Sequence, residues 1–186
     1  SIIKGIKKLE KGHYLKIDSN SLNIKIATYY ELIEQLSPIK KVKKKEEEYE
    51  EELKTKLEES LKRRSISDVP IGAFLSGGTD SSLISTTFQK FCDQPINTFT
   101  IGFEVPDFDE SEYAKQVSDE IGSNHFFSRV MDKDSISMAE HIVDYYDEPF
   151  AAPSTLPSLL VCQRAKEFVT VALGGDGGDE IFMGYG

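Results

Sequence analysis

The sequence predicts an α/β domain: a parallel sheet with helices on both faces, preceded by short antiparallel β strands. Three observations lead there. From residue 69 onward, short apolar runs alternate with helical patterns. Two of those runs, 71–75 and 169–173, lead into paired glycines, Gly77-Gly78 and Gly174-Gly175. Before residue 37 the apolar runs are instead close together and broken by Lys11-Gly12 and Asp18-Ser19-Asn20-Ser21, the punctuation of hairpins.

Taken in order, residues 2–26 read as hairpin strands, and Ser37-Pro38 with the lysines after it marks a boundary. Residues 46–64 then read as a helix in which Tyr49, Leu53, Leu57 and Leu61 recur every fourth residue. That stripe is expected to pack into the core. Glu50 with Lys54, Glu52 with Lys56 and Glu58 with Lys62 can pair along the opposite face, each contributing about 0.2 to 0.5 kcal/mol. Next come a strand at 71–75, a helix at 81–92, a strand at 97–102, a helix at 110–121 and a strand at 125–130. Helices at 134–146 and 154–167 and a strand at 169–173 complete the series. Such alternation calls for right-handed crossovers, and ligands then bind beyond the carboxyl ends of the strands, where strand order reverses.

The stretch Ser76-Gly77-Gly78-Thr79-Asp80-Ser81-Ser82 carries the most chemistry. Glycine lets backbone approach a ligand closely, and the helix that follows aims its unpaired N–H groups at the same point, which makes an anion cradle. No lysine follows the glycines as in a Walker A loop, so backbone amides and the hydroxyls of Ser76, Ser81 and Ser82 would hold phosphate. Asp80 would repel a phosphate unless a divalent cation lay between them, so it reads as a Mg2+ ligand. After the buried-strand run 169–173, Gly174-Gly175 lets backbone approach a flat ligand such as adenine, and the acids after it can face phosphates. Asp179-Glu180 also suits plain dipole matching at a helix start.

Composition narrows the class. With 186 residues, 39% hydrophobic and 29% charged, the chain has enough material for one cored domain. A net charge of −10 argues against a broad nucleic-acid surface, and the basic run at 40–45 leads directly into Glu46-Glu47-Glu48. No apolar run is long enough to span a bilayer. Cys92 and Cys162 lack metal-like spacing and are expected in helices as buried thiols in a reducing cytoplasm. His13, His125 and His141 are read as structural, in a hairpin, at a strand start and in a helix, with no metal spacing among them.

Residues 69–82 resemble the pyrophosphate-binding loop of the ATP pyrophosphatase superfamily, the adenine nucleotide alpha hydrolase-like fold, and the flanking sequence resembles the asparagine synthetase family. Further stations are Phe99-Thr100-Ile101-Gly102-Phe103, Glu110-Ser111-Glu112-Tyr113-Ala114, Asp147-Glu148-Pro149-Phe150 with Pro153-Ser154, and Gly174-Gly175-Asp176-Gly177-Gly178-Asp179-Glu180 followed by Phe182, Gly184 and Tyr185. Asp147-Glu148-Pro149 equally suits a helix-ending turn enforced by proline. At the start, Leu9-Glu10-Lys11-Gly12-His13-Tyr14-Leu15 resembles the closing strands of that family's glutaminase domain, with Glu10 and Lys11 in place of the usual prolines. The expectation is therefore a fragment: 1–36 the C-terminal remnant of a glutaminase domain, 37–186 the N-terminal part of a synthetase domain.

The resemblance implies an ATP-dependent ligase that adenylates a carboxylate, with aspartate the expected acceptor, releases pyrophosphate and transfers ammonia, drawn from glutamine in the full protein. It implies ATP and Mg2+. Leu75, Ile101, Gly174 and Gly175 would line the adenine and ribose side, largely through backbone groups. Ser76, Gly77, Gly78, Asp80, Ser81 and Ser82 would hold the phosphates, Asp80 and Asp179 would share the metal, and Asp176 would organise the reacting centre. A homodimer of the full-length protein fits the same resemblance. Asparagine synthetases usually carry Ser-Gly-Glu where Gly174-Gly175-Asp176 stands here. That departure keeps open a related amidotransferase or cyclase acting on another carboxylate, or a nucleotide-binding module without catalysis.

Overall fold

A computed structural model describes residues 3–36, 43–105, 109–147 and 152–184. Ser37-Pro38, lysines 40 and 41, Glu148-Pro149-Phe150 and Tyr185 lie outside the described residues. The chain divides into two compact units, Ser1–Tyr49 and Glu50–Gly186.

In the first unit, β1 (His13–Ile17) and β2 (Ile24–Thr28) form the expected antiparallel hairpin. Its turn is organised by Asp18, whose Oδ1 accepts from the amides of Asn20 and Ser21 and from the Ser21 hydroxyl. Those three donors hold the Asp18 carboxyl below its ordinary pKa. The register sets Leu15 opposite Ile26 and Ile17 opposite Ile24, so one face carries a ladder of four aliphatic side chains, all exposed. A short helix, α1 (Leu32–Leu36), follows.

Helix α2 (Glu46–Arg64) starts with three glutamates and ends with Lys62, Arg63 and Arg64, complementing its dipole at both ends. The core stripe expected along it is only partly realised. Leu61 is buried and Leu57 half-buried, but Tyr49 and Leu53 are exposed. Hydrophobic spacing marks a face without saying how far along the helix a neighbour covers it. Of the expected ion pairs, Glu52–Lys56 forms, whereas Lys54 pairs with Glu51 and Glu58 reaches Lys90 beyond α3. Apart from the half-buried Glu58 the partners are exposed, and the pairing follows side-chain reach.

The second unit is built on four parallel strands: β3 (Ile71–Phe74), β4 (Asn97–Gly102), β5 (Asn124–Arg129) and β6 (Val171–Leu173), in spatial order β5-β4-β3-β6. Helices α3 (Thr79–Gln89) and α4 (Ser111–Ile121) cover one face. There Phe88 of α3 joins Ala73 and Ile96 in a cluster that also takes in Ile121 and Leu173. After α5 (Asp132–Tyr145), α6 (Thr155–Lys166) covers the other face, where Ala165 and Val161 pack with Phe99, Val169, Phe74 and Phe126. Phe99 stacks on Phe126 with centroids 5.4 Å apart, and Phe126 meets Phe168 at 3.9 Å. Full burial of a side chain such as Phe99 contributes about 1.5 to 3 kcal/mol.

Boundaries moved by one to three residues in several elements. Helix α3 begins at Thr79, two residues earlier than the sequence predicts, which places Asp80 in its first turn, and it ends at Gln89. Strand β6 begins at Val171, because the Val169 amide donates back to Ala165 and its side chain belongs to the core under α6. Cys92 lies beyond the end of α3 and is half-buried, while Cys162 on α6 is exposed, so neither is the fully buried helical thiol expected. Among the described residues, no helix is long and apolar enough to cross a membrane.

Candidate functional site

Strand order decides where the site lies. From β3 the chain moves outward through β4 to β5, then returns to place β6 on the opposite side of β3. The direction of winding therefore reverses between β3 and β6, and a crevice opens there beyond their carboxyl ends. Both glycine-rich loops emerge at that point. They enclose a cavity of about 600 Å³ lined by Ser76, Gly78, Thr79, Asp80 and Ser81 from the first loop, and by residues 174–177, Asp179 and Glu180 from the second.

The first loop is braced by its own serines. The Ser76 amide donates to Ser81 Oγ at 3.1 Å, and Ser81 Oγ donates to the Gly78 carbonyl at 3.2 Å. With that proton committed, Ser76 Oγ is the donor in its 2.8 Å contact with Ser81 Oγ, and it accepts from the Gly78 amide at 3.2 Å. The first helical bond of α3 runs from the Ser82 amide to Gly78 O. The amides of Thr79, Asp80 and Ser81 precede it and have no intrahelical acceptor, so three donors stand at the cavity wall. Gly77 turns the loop with φ +95°, and a Cβ there would lie 2.8 Å from the Ala114 amide of α4. It fits the loop against α4.

The second loop meets the first edge to edge. A Cβ on Gly175 would stand 2.9 Å from both Asp80 Cβ and the Ser81 amide, and one on Gly178 would collide with the Asp80 carboxylate. The second loop's own helix, α7 (Gly178–Phe182), starts at that contact. The Asp179 carboxylate abuts Gly184, and the Asp176 carboxylate lies back over Gly174. Four carboxylates, those of Asp80, Asp176, Asp179 and Glu180, thus line one cavity, and no Lys or Arg is among the described residues that line it.

Of the residues singled out from sequence, Ser76, Gly78, Asp80, Ser81, Gly174, Gly175, Asp176 and Asp179 come together here. The other four do not line the cavity. Leu75 is buried, its amide donates to Phe99 O at 2.9 Å, and its carbonyl accepts from the Thr100 hydroxyl. Gly77 packs on α4. The Ser82 hydroxyl is buried without a partner. Ile101 lines a separate cavity between β4, β5 and α6. Thr79 and Glu180 were missed as wall residues, although both lie inside the motifs quoted, and motif membership was the signal available.

The carboxylate set bears on Mg2+ directly. Among the described residues no three His, Cys, Asp or Glu side chains converge to hold a metal by themselves. Mg2+ is commonly held by one or two carboxylates, with substrate phosphates and water completing its shell. A cavity with several acids and no Lys or Arg among the described residues that line it suits that mode, provided its ligand brings phosphates.

Outside the site, His125 Nδ1 lies 3.0 Å from Thr98 Oγ1, in a chain that continues to Ser123 Oγ and Ser118 Oγ, while its Nε2 is buried without a partner. Burial, and then Lys115, push its pKa below 6.5, with Asp119 opposing. His13 bridges Lys11 O and Thr28 in the hairpin, and His141 lies in α5 beside Asp144. All three occupy the element types expected from sequence.

Comparison with known proteins then decides the family, since a sequence profile described as Asparagine synthase matches residues 52–186. The chain belongs to the asparagine synthase family. A putative glutamine-hydrolyzing asparagine synthetase 2 of Methanocaldococcus jannaschii is 40% identical over all 186 residues, which make up 35% of that protein. Glutamine-hydrolyzing asparagine synthetase 1 of Bacillus subtilis is 33% identical over 97% of this chain and 27% of its own. The chain thus spans about a third of these relatives' length. Among solved structures, the NH3-dependent NAD synthetase of Campylobacter jejuni aligns with TM-score 0.50 at 14% identity, over 73% of this chain and 60% of that one. The NMN synthetase of Francisella tularensis gives the same score at 16% identity. At such identities the likeness shows the shared fold, the parallel sheet with helices on both faces expected from sequence.

Proposed function

We propose that this member of the asparagine synthase family forms the nucleotide-activating part of an ATP-dependent amide-forming ligase, with aspartate as the acceptor. The observation that carries this reading is the cavity at the β3/β6 switch point, where helix-start amides and loop glycines face a set of carboxylates.

In this reading the amides of Thr79, Asp80 and Ser81 hold the β- and γ-phosphates, in a loop kept in shape by Ser76 and Ser81. Asp80 and Asp179 hold Mg2+, which when bound neutralises charge on the phosphates. An acceptor carboxylate oxygen attacks the α-phosphorus, the bond to the β-phosphate oxygen breaks, and pyrophosphate departs into the cradle. Ammonia then adds to the acyl carbon of the adenylate and AMP leaves with the C–O electron pair. Asp176 is placed to orient the reacting groups. Most of the rate enhancement falls to positioning and charge stabilisation, so the residues that hold phosphate carry the catalysis.

The exposed aliphatic ladder of the hairpin supports assigning residues 1–36 to the end of a glutaminase domain, because a two-stranded sheet with an apolar face needs a covering layer. Residues 37–186 then belong to the synthetase domain, and ammonia would come from glutamine.

The test is pyrophosphate release from Mg·ATP by the full-length protein, with ammonium present and aspartate added or withheld. Aspartate-dependent release with AMP and asparagine as products is expected. ATP binding without aspartate-dependent release would overturn aspartate as acceptor and favour another carboxylate or a non-catalytic nucleotide module, as the Gly174-Gly175-Asp176 sequence allows.

A further inference from the structure

Another cavity, of about 290 Å³, opens where the second glycine-rich loop meets α2. Helix α2 supplies Leu57, Ser60, Leu61 and Arg64, α3 supplies Leu83 and Ile84, and α7 supplies Ile181 and Phe182. Asp80 and residues 174–177 line this cavity and the one at the β3/β6 switch point, so one loop is a wall of both. Asp179 and Glu180 line only the first. The volume lies near the lower limit for small-molecule sites, about 300 Å³, and suits a molecule the size of an amino acid.

Most of the wall is apolar, and Leu83, Ile181 and Phe182 in it are exposed. A concave apolar patch of that kind calls for an apolar occupant. Arg64 adds a cation. Its Nη1 donates to Ser60 Oγ at 2.7 Å and to Ser60 O at 3.5 Å, which anchors the guanidinium on its own helix. Those contacts leave Nε and Nη2, the edge that grips a carboxylate with two parallel bonds. Among the described residues no carboxylate pairs with it. Acids face the same space. The Asp80 carboxylate abuts Gly178, itself a wall residue here, and Asp176 lines the cavity too. An anion would meet Arg64 but be repelled by the two acids, and a cation the reverse. A zwitterion satisfies both.

We propose that this cavity is a second ligand site, for a free α-amino acid with an apolar side chain of about leucine size. Its carboxylate lies on Arg64, its ammonium on Asp80, and its side chain against Leu57, Ile84 and Phe182. Aspartate is excluded, because its second carboxylate would be buried among leucines without a partner. Asp80 serves both cavities, so an ammonium in one and a divalent cation in the other draw on a single carboxylate. Each ligand should therefore weaken the other, by the same factor in both directions. Amino-acid binding is independent of the ATP reading given above, whereas the antagonism rests on it.

The experiment is calorimetric titration of the full-length protein, in saturating aspartate, with L-leucine, with isocaproate, which lacks the ammonium, and with isoamylamine, which lacks the carboxylate. It is repeated for Arg64→Gln and Phe182→Ala, both at exposed positions. L-Leucine should bind, and each analogue should bind at least about tenfold more weakly, having lost one charged contact. Arg64→Gln should lower leucine affinity about tenfold and leave that of isoamylamine unchanged, while Phe182→Ala should weaken both ligands. No leucine binding, or equal leucine affinity in all three proteins, would overturn the site. Isocaproate binding as tightly as leucine would overturn the amino-acid assignment. Mg·ATP should then weaken leucine several-fold, and an unchanged leucine affinity with ATP bound would overturn the antagonism. Failure to bind ATP would overturn the nucleotide reading and the antagonism with it, and leave the amino-acid site to stand or fall on the first titrations.

Discussion

The Asp80 carboxylate occupies the space that a side chain on Gly178 would need, so an acid at the start of α3 is seated directly on the start of α7. Through that contact the two glycine-rich loops share one wall of the cavity.

Replacing Gly178 with Ala forces the carboxylate, the movable end of a short side chain, to turn away. Stability should change by no more than about 1 kcal/mol, while Mg2+-dependent ATP affinity should fall about tenfold. Gly175→Ala meets the Ser81 amide as well as Asp80 Cβ, and backbone cannot turn aside. That variant should lose about 1 to 3 kcal/mol in urea denaturation. Equal stability losses in the two variants would contradict the arrangement.

Ser81→Ala removes the acceptor of the Ser76 amide and the partner of Ser76 Oγ. The cost should be about 1 to 3 kcal/mol, since the amide is left in a partly buried loop without an acceptor. Ser82→Ala should leave stability nearly unchanged, because its hydroxyl is buried without a partner. Chemical denaturation of the two variants side by side checks the contrast.

Asp80→Asn and Asp179→Asn should each weaken the Mg2+ dependence of ATP binding, measured as the shift in ATP affinity between magnesium and EDTA. An intact shift in both variants would exclude them as metal ligands.

His125 couples stability to pH. Its folded pKa lies below 6.5, so on acidification the unfolded chain takes up its proton first. Stability from this group is therefore full above about pH 6.5 and declines as pH falls below it, towards the lowered folded value. Lys115 reinforces the effect and Asp119 opposes it. The decline should shrink in His125→Gln, read from urea midpoints at pH 7.5 and at pH 5.5.

Much of this was legible in the sequence because it was local. Strand β4 lies within the expected 97–102, and α4 and α6 fall one residue short of their expected limits at the ends that changed, since apolar runs and turn residues mark them directly. Asp80, Asp176 and Asp179 came together because both loops follow strands that adjoin. What stayed hidden depends on neighbours distant in sequence. Nothing local in Tyr49 and Leu53 shows that the stripe is covered only near Leu61. Nor does Ile101 itself reveal that its companions are Ser128 and α6 rather than Gly174, since that follows from which face of β4 its side chain takes.

The pairing of β3 with β6 joins residues a hundred positions apart, Ile71 with Val171. On a ribosome adding about 5 to 20 residues per second, the second loop emerges roughly 5 to 20 s after the first. Through that interval the serine-braced turn exists without its opposite wall. The cavity between the two loops therefore exists only once synthesis has passed β6, and a ligand that needs both walls favours the chain only from then on.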